Sequence, residues 1–587
     1  MRLYSTVLLA LLCVPSFLIA RSQAAGPPGF VACAQPGVRE PVWCGSVSVP
    51  ENRSNHSGRE IALAVVILPA RGPVHAPDPV FWIEGGPGGS AIDDLTWWQD
   101  SPLRSQRDIV YVDLRGTKRS HPLNCDLYGR DRPGLQHYLG PEMFPAEDAL
   151  RCARAFAGVV DLRTYTTSTM ADDLDDVRAV LGYDRVNIVG LSAGTRTALV
   201  YLRRHPAHVR SLVLNGVDAP YHFAPSGFAK YAQHALEELA RDCSTDLRCH
   251  QAFPDVLGDA KKTLADTRSG HAKANVPDPT TGEPVQVDLN AGILAEVIRN
   301  RLYTPGDASD LPVLLHAAAA GDYGPIAEVA LGLRFNAASG MGLGVYLSST
   351  CSEDMPGVDV HAEEQRAAGT FLGTSRLRQQ AGACAAWPIG PVNADFSRRF
   401  SSDAPALIIS GQMDPVTPAS NGDDVARDLP NSLRVVVPHG GHCVGDGLVG
   451  FNCIDRLQAE FITHGSIQGL KVACVNHIHR REFSMTITPP TTGIADPKNV
   501  SQFVGRYRDA AGAAGAEVKL DGSLLRVEFD DGDTARLFPL SGLEFRVWGA
   551  PTRSARFEVR DGVVTGLSFE RGGTRELELG RALKQGG

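Results

Sequence analysis

The sequence predicts an α/β protein with a mostly parallel, doubly wound sheet, an inserted helical segment and a small antiparallel β domain. From Ile61 to Leu214, short apolar runs alternate with helical patterns, which is typical of βα units. The rhythm breaks over residues 222–400, which are Ala-rich and helical in pattern, and it resumes at Ala406. Beyond residue 498, Asp-Gly and Gly-Gly dipeptides separate short alternating runs, which favours antiparallel hairpins.

The composition excludes several classes of protein. The 587 residues are 43% apolar and 21% charged, with a formal net charge of −9, as in ordinary globular proteins. No long run of Lys or Arg is present, so the sequence indicates neither a nucleic-acid partner nor binding to an anionic membrane surface. We therefore expect a small or neutral partner, and the residues imply no metal and no organic cofactor.

The first 24 residues are typical of an export signal. Arg2 supplies a positive start, Val7 to Ala20 is apolar but short for a membrane span, and Ser22-Gln23-Ala24 offers a cleavage site. No later segment approaches the ~18 consecutive apolar residues of a transmembrane helix. We expect an exported protein, periplasmic or extracellular, with no integral membrane segment once the signal is removed.

The cysteines agree with an oxidising compartment. Cys13 lies in the predicted signal, which leaves an odd number of the twelve cysteines in the mature chain. None of them forms the repeated C-x-x-C spacing of a zinc site. Sequence proximity favours five pairs, with Cys443 left unpaired: 33–44, 125–152, 243–249, 351–384 and 453–474.

The elements of the first core segment, residues 25–221, follow from apolar runs and helix signals. Thr169 followed by Asp172 predicts a helix start, and Gly182 predicts its end. The strands are predicted at Ile61 to Leu68, Val80 to Ile83, Ile109 to Val112, Val186 to Val189 and Leu212 to Leu214.

The later domain boundaries are predicted from changes in the sequence pattern. Two βα units of roughly 30 residues each account for only part of the 222 residues that separate Ser192 from Asp414, so residues 222–400 are predicted to be an inserted helical cap. A second core segment then covers 401–486, and a Pro- and Thr-rich linker covers 487–497. Residues 498–587 are predicted to form a small β barrel or curled sheet without His or Cys.

Gly190-Leu191-Ser192-Ala193-Gly194 lies between a predicted strand and a predicted helix. In that context G-x-S-x-G predicts a nucleophile elbow, a sharp turn that exposes the serine hydroxyl above the sheet. The alternative is a tight turn whose serine caps the helix. A serine hydroxyl is a poor nucleophile unless a base oriented by a third group removes its proton.

Candidates for the base and the orienting acid follow in the order Ser, Asp, His that is known for such elbows. Asp414 comes just after the strand Ala406 to Ser410, and His442 just after the strand Leu433 to Val437. His439 competes as the base, but two glycines before His442 let its loop fold over the elbow. Asp423 and Asp424 compete with Asp414, although they look like exposed positions on the next helix.

An acyl-transfer site also needs amides directed at the developing oxyanion. Glu84-Gly85-Gly86-Pro87-Gly88-Gly89 follows the strand Val80 to Ile83, where this kind of site places one donor. The backbone N–H groups of Gly86 and of Ala193 are the predicted oxyanion hole. A plain Gly/Pro turn is the structural alternative.

Five ordered motifs over about residues 35–480 resemble α/β-hydrolases of the prolyl aminopeptidase and tripeptidyl aminopeptidase-like (TAP-like) type. They are G-G-P-G-G, Asp113-Leu114-Arg115-Gly116, G-L-S-A-G-T, Asp414-Pro415-Val416-Thr417-Pro418 and Gly-Gly-His442. The sequence departs from the pattern at Glu84, where many prolyl aminopeptidases have His, at Lys118-Arg119, and at Cys443 beside the base. The resemblance implies an α/β-hydrolase fold and peptide substrates with a free amino terminus.

An enzyme of that type needs a buried anion for the substrate ammonium. Cys351-Ser352-Glu353-Asp354 resembles a Cys-plus-acid motif of the TAP-like proteins, so Glu353 and then Asp354 are the predicted substrate-binding residues. A helix-start acid pair near a disulfide is the alternative. The overall hypothesis is a secreted serine aminopeptidase; the alternatives are a carboxylesterase on small acyl esters and a non-catalytic binding protein on the same fold.

Overall fold

The computed structural model describes residues 26–55, 58–129, 132–140, 142–443, 445–489, 500–510, 515–530 and 532–582, without the side chains of 336–340. The predicted signal peptide and most of the predicted linker lie outside the described residues.

The first core segment contains the elements that carry the elbow. Helix α2 begins at Thr167, two residues earlier than the Thr169 signal predicts, because Thr166 takes the extended cap position. The elements are β1 (Val31–Cys33), β2 (Val42–Pro50), β3 (Glu60–Leu68), β4 (Val80–Ile83), β5 (Ile109–Val112), α1 (Ala146–Phe156), α2 (Thr167–Val180), β6 (Val186–Leu191), α3 (Ala193–Arg204) and β7 (Val209–Asn215).

The insertion, residues 222–400, is helical apart from one hairpin that the sequence analysis did not predict. The hairpin pairs β8 with β9 in antiparallel register. The elements are α4 (Phe228–Thr245), α5 (Leu247–Ala252), α6 (Val256–Arg268), β8 (Lys273–Pro277), β9 (Pro284–Asp288), α7 (Ala291–Arg301), α8 (Pro305–Ala308), α9 (Leu311–Ala319), α10 (Gly324–Gly340), α11 (Leu343–Glu353), α12 (Val360–Ala367) and α13 (Ser375–Ala385).

The second core segment returns to the sheet. Its elements are β10 (Ala406–Gly411), α14 (Ala419–Ala426), β11 (Ser432–Val437), β12 (Leu448–Val449), α15 (Asn452–His464) and β13 (His479–Arg480). β12 and β13 form a separate two-stranded ladder.

The main sheet has nine strands in the order β1-β2-β3-β5-β4-β6-β7-β10-β11. Strands β5, β4, β6, β7, β10 and β11 are parallel, which confirms the predicted class, whereas β1, β2 and β3 form an antiparallel edge. β3 is therefore not a βα strand as predicted: Ala62 and Ala64 are apolar yet occupy its outward positions, so the alternation of an edge strand is hidden.

The central strands are buried on both faces. Every residue of β4, β5, β6 and β10 is buried, as expected for parallel strands covered by helices on both sides. Along β5, Val110 and Val112 join one hydrophobic cluster, while Ile109 and Tyr111 join the other. The sheet is a rigid support, and the loops at the carboxyl ends of its strands form the site.

The carboxyl-terminal strands form a closed antiparallel barrel, which confirms the predicted β domain. Its core contains Phe503, Tyr507, Phe545 and Phe557. The strands are β14 (Gly505–Arg508), β15 (Gly515–Asp521), β16 (Leu524–Phe529), β17 (Thr534–Ser541), β18 (Glu544–Val547), β19 (Arg553–Arg560), β20 (Val563–Arg571) and β21 (Thr574–Arg581).

The barrel docks on the insertion through buried polar contacts. Arg546 and Glu328 of α10 form an ion pair at 2.5 Å, and both side chains are 2% exposed. The N–H of Gly549 donates to the same carboxylate at 3.0 Å, and Trp548 Nε1 donates to the carbonyl of Pro277 at 3.0 Å. The barrel thereby holds α10 and the end of β8.

The five predicted cysteine pairs are disulfides in the structure, and Cys443 is a free thiol. Within the described ranges, no helix is both long enough and apolar enough to cross a bilayer.

Candidate active site

Ser192 occupies the turn between β6 and α3. Its backbone has φ 51° and ψ −124°, a strained conformation that non-glycine residues rarely adopt. The turn needs glycine at 194, because a Cβ there would lie 2.3 Å from the carbonyl oxygen of Ile83. The G-x-S-x-G segment therefore forms the strand–turn–helix that the sequence predicts.

His442 lies between Ser192 and Asp414. Its Nε2 is 2.8 Å from Ser192 Oγ, and its Nδ1 is 2.8 Å from Asp414 Oδ2. The backbone N–H of His442 donates to the carbonyl of Tyr303 at 2.6 Å, and the Tyr303 ring packs edge-on against the imidazole at 5.2 Å. The structure thus brings together three side chains that are up to 250 residues apart in the chain.

The carboxylate of Asp414 is held by its own loop. Oδ1 accepts the N–H groups of Val416 and Thr417, each at 2.8 Å. Oδ2 accepts the Thr417 hydroxyl at 2.8 Å in addition to its contact with His442. Because Asp414 accepts a hydrogen bond from the Nδ1–H of His442, Nε2 is left as the acceptor for the serine hydroxyl.

The charge state of His442 depends on two opposing effects. Burial, the largest effect, disfavours the imidazolium, but the Asp414 carboxylate and the neighbouring Cys443 together offset it and raise the pKa of His442 well above its ordinary value. The thiol of Cys443 is buried, which raises its pKa, and its Sγ lies 3.3 Å from the carbonyl oxygen of Asn215. The site is therefore built to stabilise a protonated imidazole beside Ser192.

The competing residues have other partners. His439 Nδ1 lies 2.8 Å from Asp242, and His439 does not line the active-site cavity described below. Asp423 forms an exposed ion pair with Arg434, and Asp424 is bound by Arg399 at 2.9 Å. Neither acid contacts His442 among the described bonds.

The predicted oxyanion donors lie beside the serine. A Cβ on Gly85 would be 2.7 Å from Ser192 Cβ, so the loop after β4 contacts the elbow directly. Gly86 has φ 113°, a conformation that favours glycine. Ala193 is the first residue of α3, and its N–H therefore has no acceptor within the helix. Gly86 and Ala193 both line the same cavity as Ser192.

This active-site cavity has a volume of about 810 Å³. Its floor is the elbow with His442, and its walls come from the oxyanion loop and the insertion. The insertion approaches the loop closely, since the N–H of Gly342 donates to the carbonyl of Gly88 at 3.0 Å.

An acidic group on the cavity wall surrounds Arg196 of α3. The guanidinium lies 2.8 Å from Asp354 and 3.0 Å from Asp218. Asp354 Oδ1 also accepts the N–H of Ala224, whereas its buried Oδ2 has no hydrogen-bond partner among the described residues. Burial raises the pKa of Asp354 to about 7, against the opposing effect of Arg196. This group offers an acceptor for a cation at neutral pH and above.

Glu353 does not line the cavity. Its carboxylate accepts the N–H of Thr167 at 2.5 Å, the Thr167 hydroxyl at 2.6 Å and the Ser349 hydroxyl at 2.8 Å. Thr167 is the first residue of α2, so this acid binds the amino terminus of that helix. Of the predicted pair, Asp354 is the residue on the wall.

Glu84 also lines the cavity, next to the oxyanion loop. It neighbours Asp94, whose Oδ2 accepts Trp82 Nε1 at 3.0 Å. Burial, together with the charge of Glu84, raises the pKa of Asp94 to about 10. With that pKa, Asp94 is the neutral carboxylic acid at neutral pH.

One described group of side chains is close enough to hold a metal ion. The ligand atoms of Asp175, His205 and His208 lie within 4.8 Å of one another. The Asp175 carboxylate already accepts Arg178 Nε at 2.7 Å and the Tyr201 hydroxyl at 2.8 Å. A cation would have to compete with that guanidinium, and the group lies outside the active-site cavity.

The sequence analysis missed Thr417, Arg196 and Asp218. Thr417 lies within the quoted motif after Asp414, where a hydroxyl two or three residues beyond an aspartate is typical of a local turn. Arg196, one helical turn after Ser192, had a positional signal, because residues four apart share a helix face. Asp218 had none.

Two protein-family models match this chain. Residues 78–252 match the α/β hydrolase fold family, and residues 369–474 match the TAP-like protein family. The first match contains Gly86 and Ser192, and the second contains Asp414 and His442.

Three curated relatives have similar sequences. Serine protease Hip1 of Mycobacterium tuberculosis is 26% identical over 74% of this chain and 90% of its own length. Tripeptidyl aminopeptidase of Streptomyces lividans is 24% identical over 78% of this chain and 88% of its own. Carboxylesterase B of M. tuberculosis is 27% identical over 73% of this chain and 86% of its own.

Proposed function

We propose that Ser192, His442 and Asp414 are the catalytic residues of this chain, which is a TAP-like α/β-hydrolase and a serine hydrolase. We also propose that it releases amino acids or short peptides from free amino termini. The single observation that most supports these catalytic residues is the continuous line of hydrogen-bond contacts from Ser192 through His442 to Asp414, each at 2.8 Å.

The proposed reaction passes through an acyl-enzyme. His442 Nε2 takes the hydroxyl proton as Ser192 Oγ bonds to the substrate carbonyl carbon, and the N–H groups of Gly86 and Ala193 stabilise the oxyanion. The carbon–nitrogen bond then breaks, and His442 gives the proton to the leaving amine. Water attacks the ester, His442 accepts the proton of that water, and Ser192 recovers it as the ester bond breaks.

Labelling with a fluorophosphonate probe tests the nucleophile. Ser192→Ala should abolish stoichiometric labelling, since the probe bonds only to an activated serine. Ser226→Ala is the matched control, because Ser226 lines the same cavity without contact to His442 in the described bonds. Stoichiometric labelling of the Ser192→Ala protein would refute the assignment.

The preference for free amino termini is supported by the acidic group around Arg196. Two acids share this one guanidinium, and Asp354 Oδ2 has no partner in the part of the chain that the structure describes. A substrate ammonium would satisfy that oxygen and give a desolvated ion pair, which discriminates strongly against blocked termini. The tripeptidyl aminopeptidase of Streptomyces lividans is a relative whose name agrees with this activity. Glu353, which was predicted first for this role from the sequence, binds Thr167 and Ser349 instead.

Paired peptides with free and acetylated amino termini test this preference. We expect wild-type protein to cleave the free peptides and Asp354→Asn to lose roughly 10- to 100-fold in kcat/KM on them, as for loss of a charge-assisted bond. Turnover of a neutral ester should change little. Equal turnover of free and acetylated peptides by the wild type would refute an aminopeptidase.

A carboxylesterase is the second candidate, favoured by the relative named Carboxylesterase B. The same three side chains cleave esters, and the fold does not decide the substrate. Parallel assays of peptide naphthylamides and short acyl esters distinguish the two. Turnover restricted to esters would favour the carboxylesterase.

We also propose that the protein is exported. The five disulfides agree with an oxidising compartment. Mass spectrometry of the amino terminus of the protein from the culture medium and periplasm tests the predicted signal cleavage near Ala25. Retention of the first 24 residues would contradict it.

A further inference from the structure

The described arginines on the wall of the active-site cavity fall into two groups. Three have acidic partners: Arg196 with Asp218 and Asp354, Arg299 with Glu296, and Arg366 with Glu363. Arg334 and Arg376 have no carboxylate within ion-pair distance among the described residues. The lining of the cavity therefore contains two arginines without a described carboxylate partner.

Arg334 is the extreme case. It belongs to α10, its side chain is 2% exposed, and all three guanidinium nitrogens are buried without a hydrogen-bond partner in the described chain. Arg376, which lines the same cavity, is also buried but donates to Gln380 at 3.2 Å and to the Tyr346 hydroxyl at 2.5 Å. Arg334 is thus a buried charge with its donors unused.

A structural role accounts poorly for this arrangement. The guanidinium lies over the Tyr128 ring at 4.7 Å, and that contact stabilises its charge. Stacking leaves the N–H donors in the guanidinium plane unsatisfied, and a buried cation without a partner is costly. Such donors on a cavity wall are typical of a site completed by its ligand.

We propose that Arg334 is a carboxylate-binding subsite for the substrate. The planar fork of a guanidinium matches the two oxygens of a carboxylate, and the surrounding low dielectric strengthens the pair. The inference rests on the proposed function, because it names the class of substrate that the same cavity takes: acyl groups or peptides that carry a carboxylate.

The position of Arg334 sets the reach of this subsite. From Arg334 to the end of α10 at Gly340 the helix rises by about 9 Å, at 1.5 Å per residue. Gly342, just beyond, bonds to the oxyanion loop at Gly88. An extended peptide advances ~3.3–3.6 Å per residue, so a carboxylate two or three residues from the cleaved bond is the expected ligand.

Two sources supply such a carboxylate, an acidic side chain or the free carboxyl terminus of a short peptide. Peptides in matched pairs separate them: Glu against Gln at each position, and a free against an amidated carboxyl terminus. We expect one of these pairs to differ by about 10- to 100-fold in kcat/KM in the wild type. Arg334→Met should remove the difference, and Arg334→Lys should restore part of it.

Arg366→Met is the matched control, because Arg366 lines the same cavity but is 58% exposed and paired with Glu363. It should keep the wild-type preference. If Arg334 is only structural, Arg334→Met lowers the Tm and leaves the preference unchanged, which overturns the proposal. Absence of any Glu/Gln or free/amidated difference in the wild type overturns it as well.

Two further measurements separate this proposal from the proposed peptidase function. p-Nitrophenyl monoesters of glutaric, adipic and suberic acid, against neutral acyl esters of equal chain length, report on Arg334 even if no peptide is cleaved. Calorimetry of the Ser192→Ala protein with the same Glu and Gln peptides reports binding without turnover. If labelling at Ser192 fails but calorimetry shows binding that depends on Arg334, the proposed peptidase function is refuted and the subsite is supported. If Ser192 is labelled but binding does not depend on Arg334, only the subsite is refuted.

Discussion

Replacing Asp414 by Asn tests the proposed mechanism at a buried side chain. The amide oxygen can still accept the N–H groups of Val416 and Thr417, which bond to Oδ1 at 2.8 Å. The Thr417 hydroxyl can rotate and accept from the new amide nitrogen, since it donates to Oδ2 in the wild type. We therefore expect the loop to keep its conformation and the protein its stability.

We expect the substitution to lower kcat far more than it lowers stability. The Asn nitrogen would donate to His442 Nδ1, so the imidazole proton would move to Nε2, which then cannot accept from Ser192. The substitution also removes the charge that stabilises the imidazolium. The equivalent change in a Ser-His-Asp protease lowers kcat by roughly 10⁴, or about 5 kcal/mol of transition-state stabilisation, and we expect a loss of that order.

Steady-state kinetics over a pH range is the assay. In the wild type, Asp414 raises the pKa of His442, so the acidic limb of kcat/KM should lie above the ordinary histidine range. In Asp414→Asn the limb should move to lower pH, because the carboxylate that favoured the charged form is gone. Asp423→Asn, an exposed acid on α14, is the control and should change neither. Activity of Asp414→Asn within tenfold of the wild type would refute the reasoning.

Three other outcomes are expected. On peptides with a free amino terminus, kcat/KM should fall below about pH 7, where Asp354 protonates, relative to its value on a neutral ester; identical pH profiles for both substrates would contradict this. Glu353→Gln should cost ~1–3 kcal/mol of unfolding free energy through Thr167, without changing the discrimination between free and acetylated peptides measured by kinetics. Arg546→Met should lower the free energy of unfolding, measured in urea, by ~3–5 kcal/mol at pH 8 and by less at pH 5. Burial raises the pKa of Glu328 to about 7, so this partner of Arg546 is neutral at pH 5. An equal loss at both pH values would exclude this cause.

The fold was predictable because its signals are local. β4, β5 and β10 are continuous apolar runs, and the elbow and the loops with Asp414 and His442 follow strands directly. In a parallel sheet, strand ends that are distant in sequence meet at one edge, so the proximity of the catalytic candidates followed from their positions. The antiparallel edge at β3 was missed because alanines mask its alternation.

The substrate wall was much less predictable. Glu353 and Asp354 are consecutive at the end of α11, and neighbouring helical residues point about 100° apart, so only the packing of that helix decides which one meets the cavity. Arg334 lies in the insertion, and nothing in the residues around it indicates that its partners are missing. An absent counterion is a property of the assembled wall, and no local pattern of residues records it.

Helix α10 spans the distance between two remote parts of the molecule. Near its first end, Glu328 forms an ion pair with Arg546 of the barrel. Just after its other end, Gly342 bonds to Gly88 in the loop beside Ser192. We therefore expect that removing the barrel would loosen α10, and Arg334 with it, and that substrate preference would be lost before bond cleavage itself.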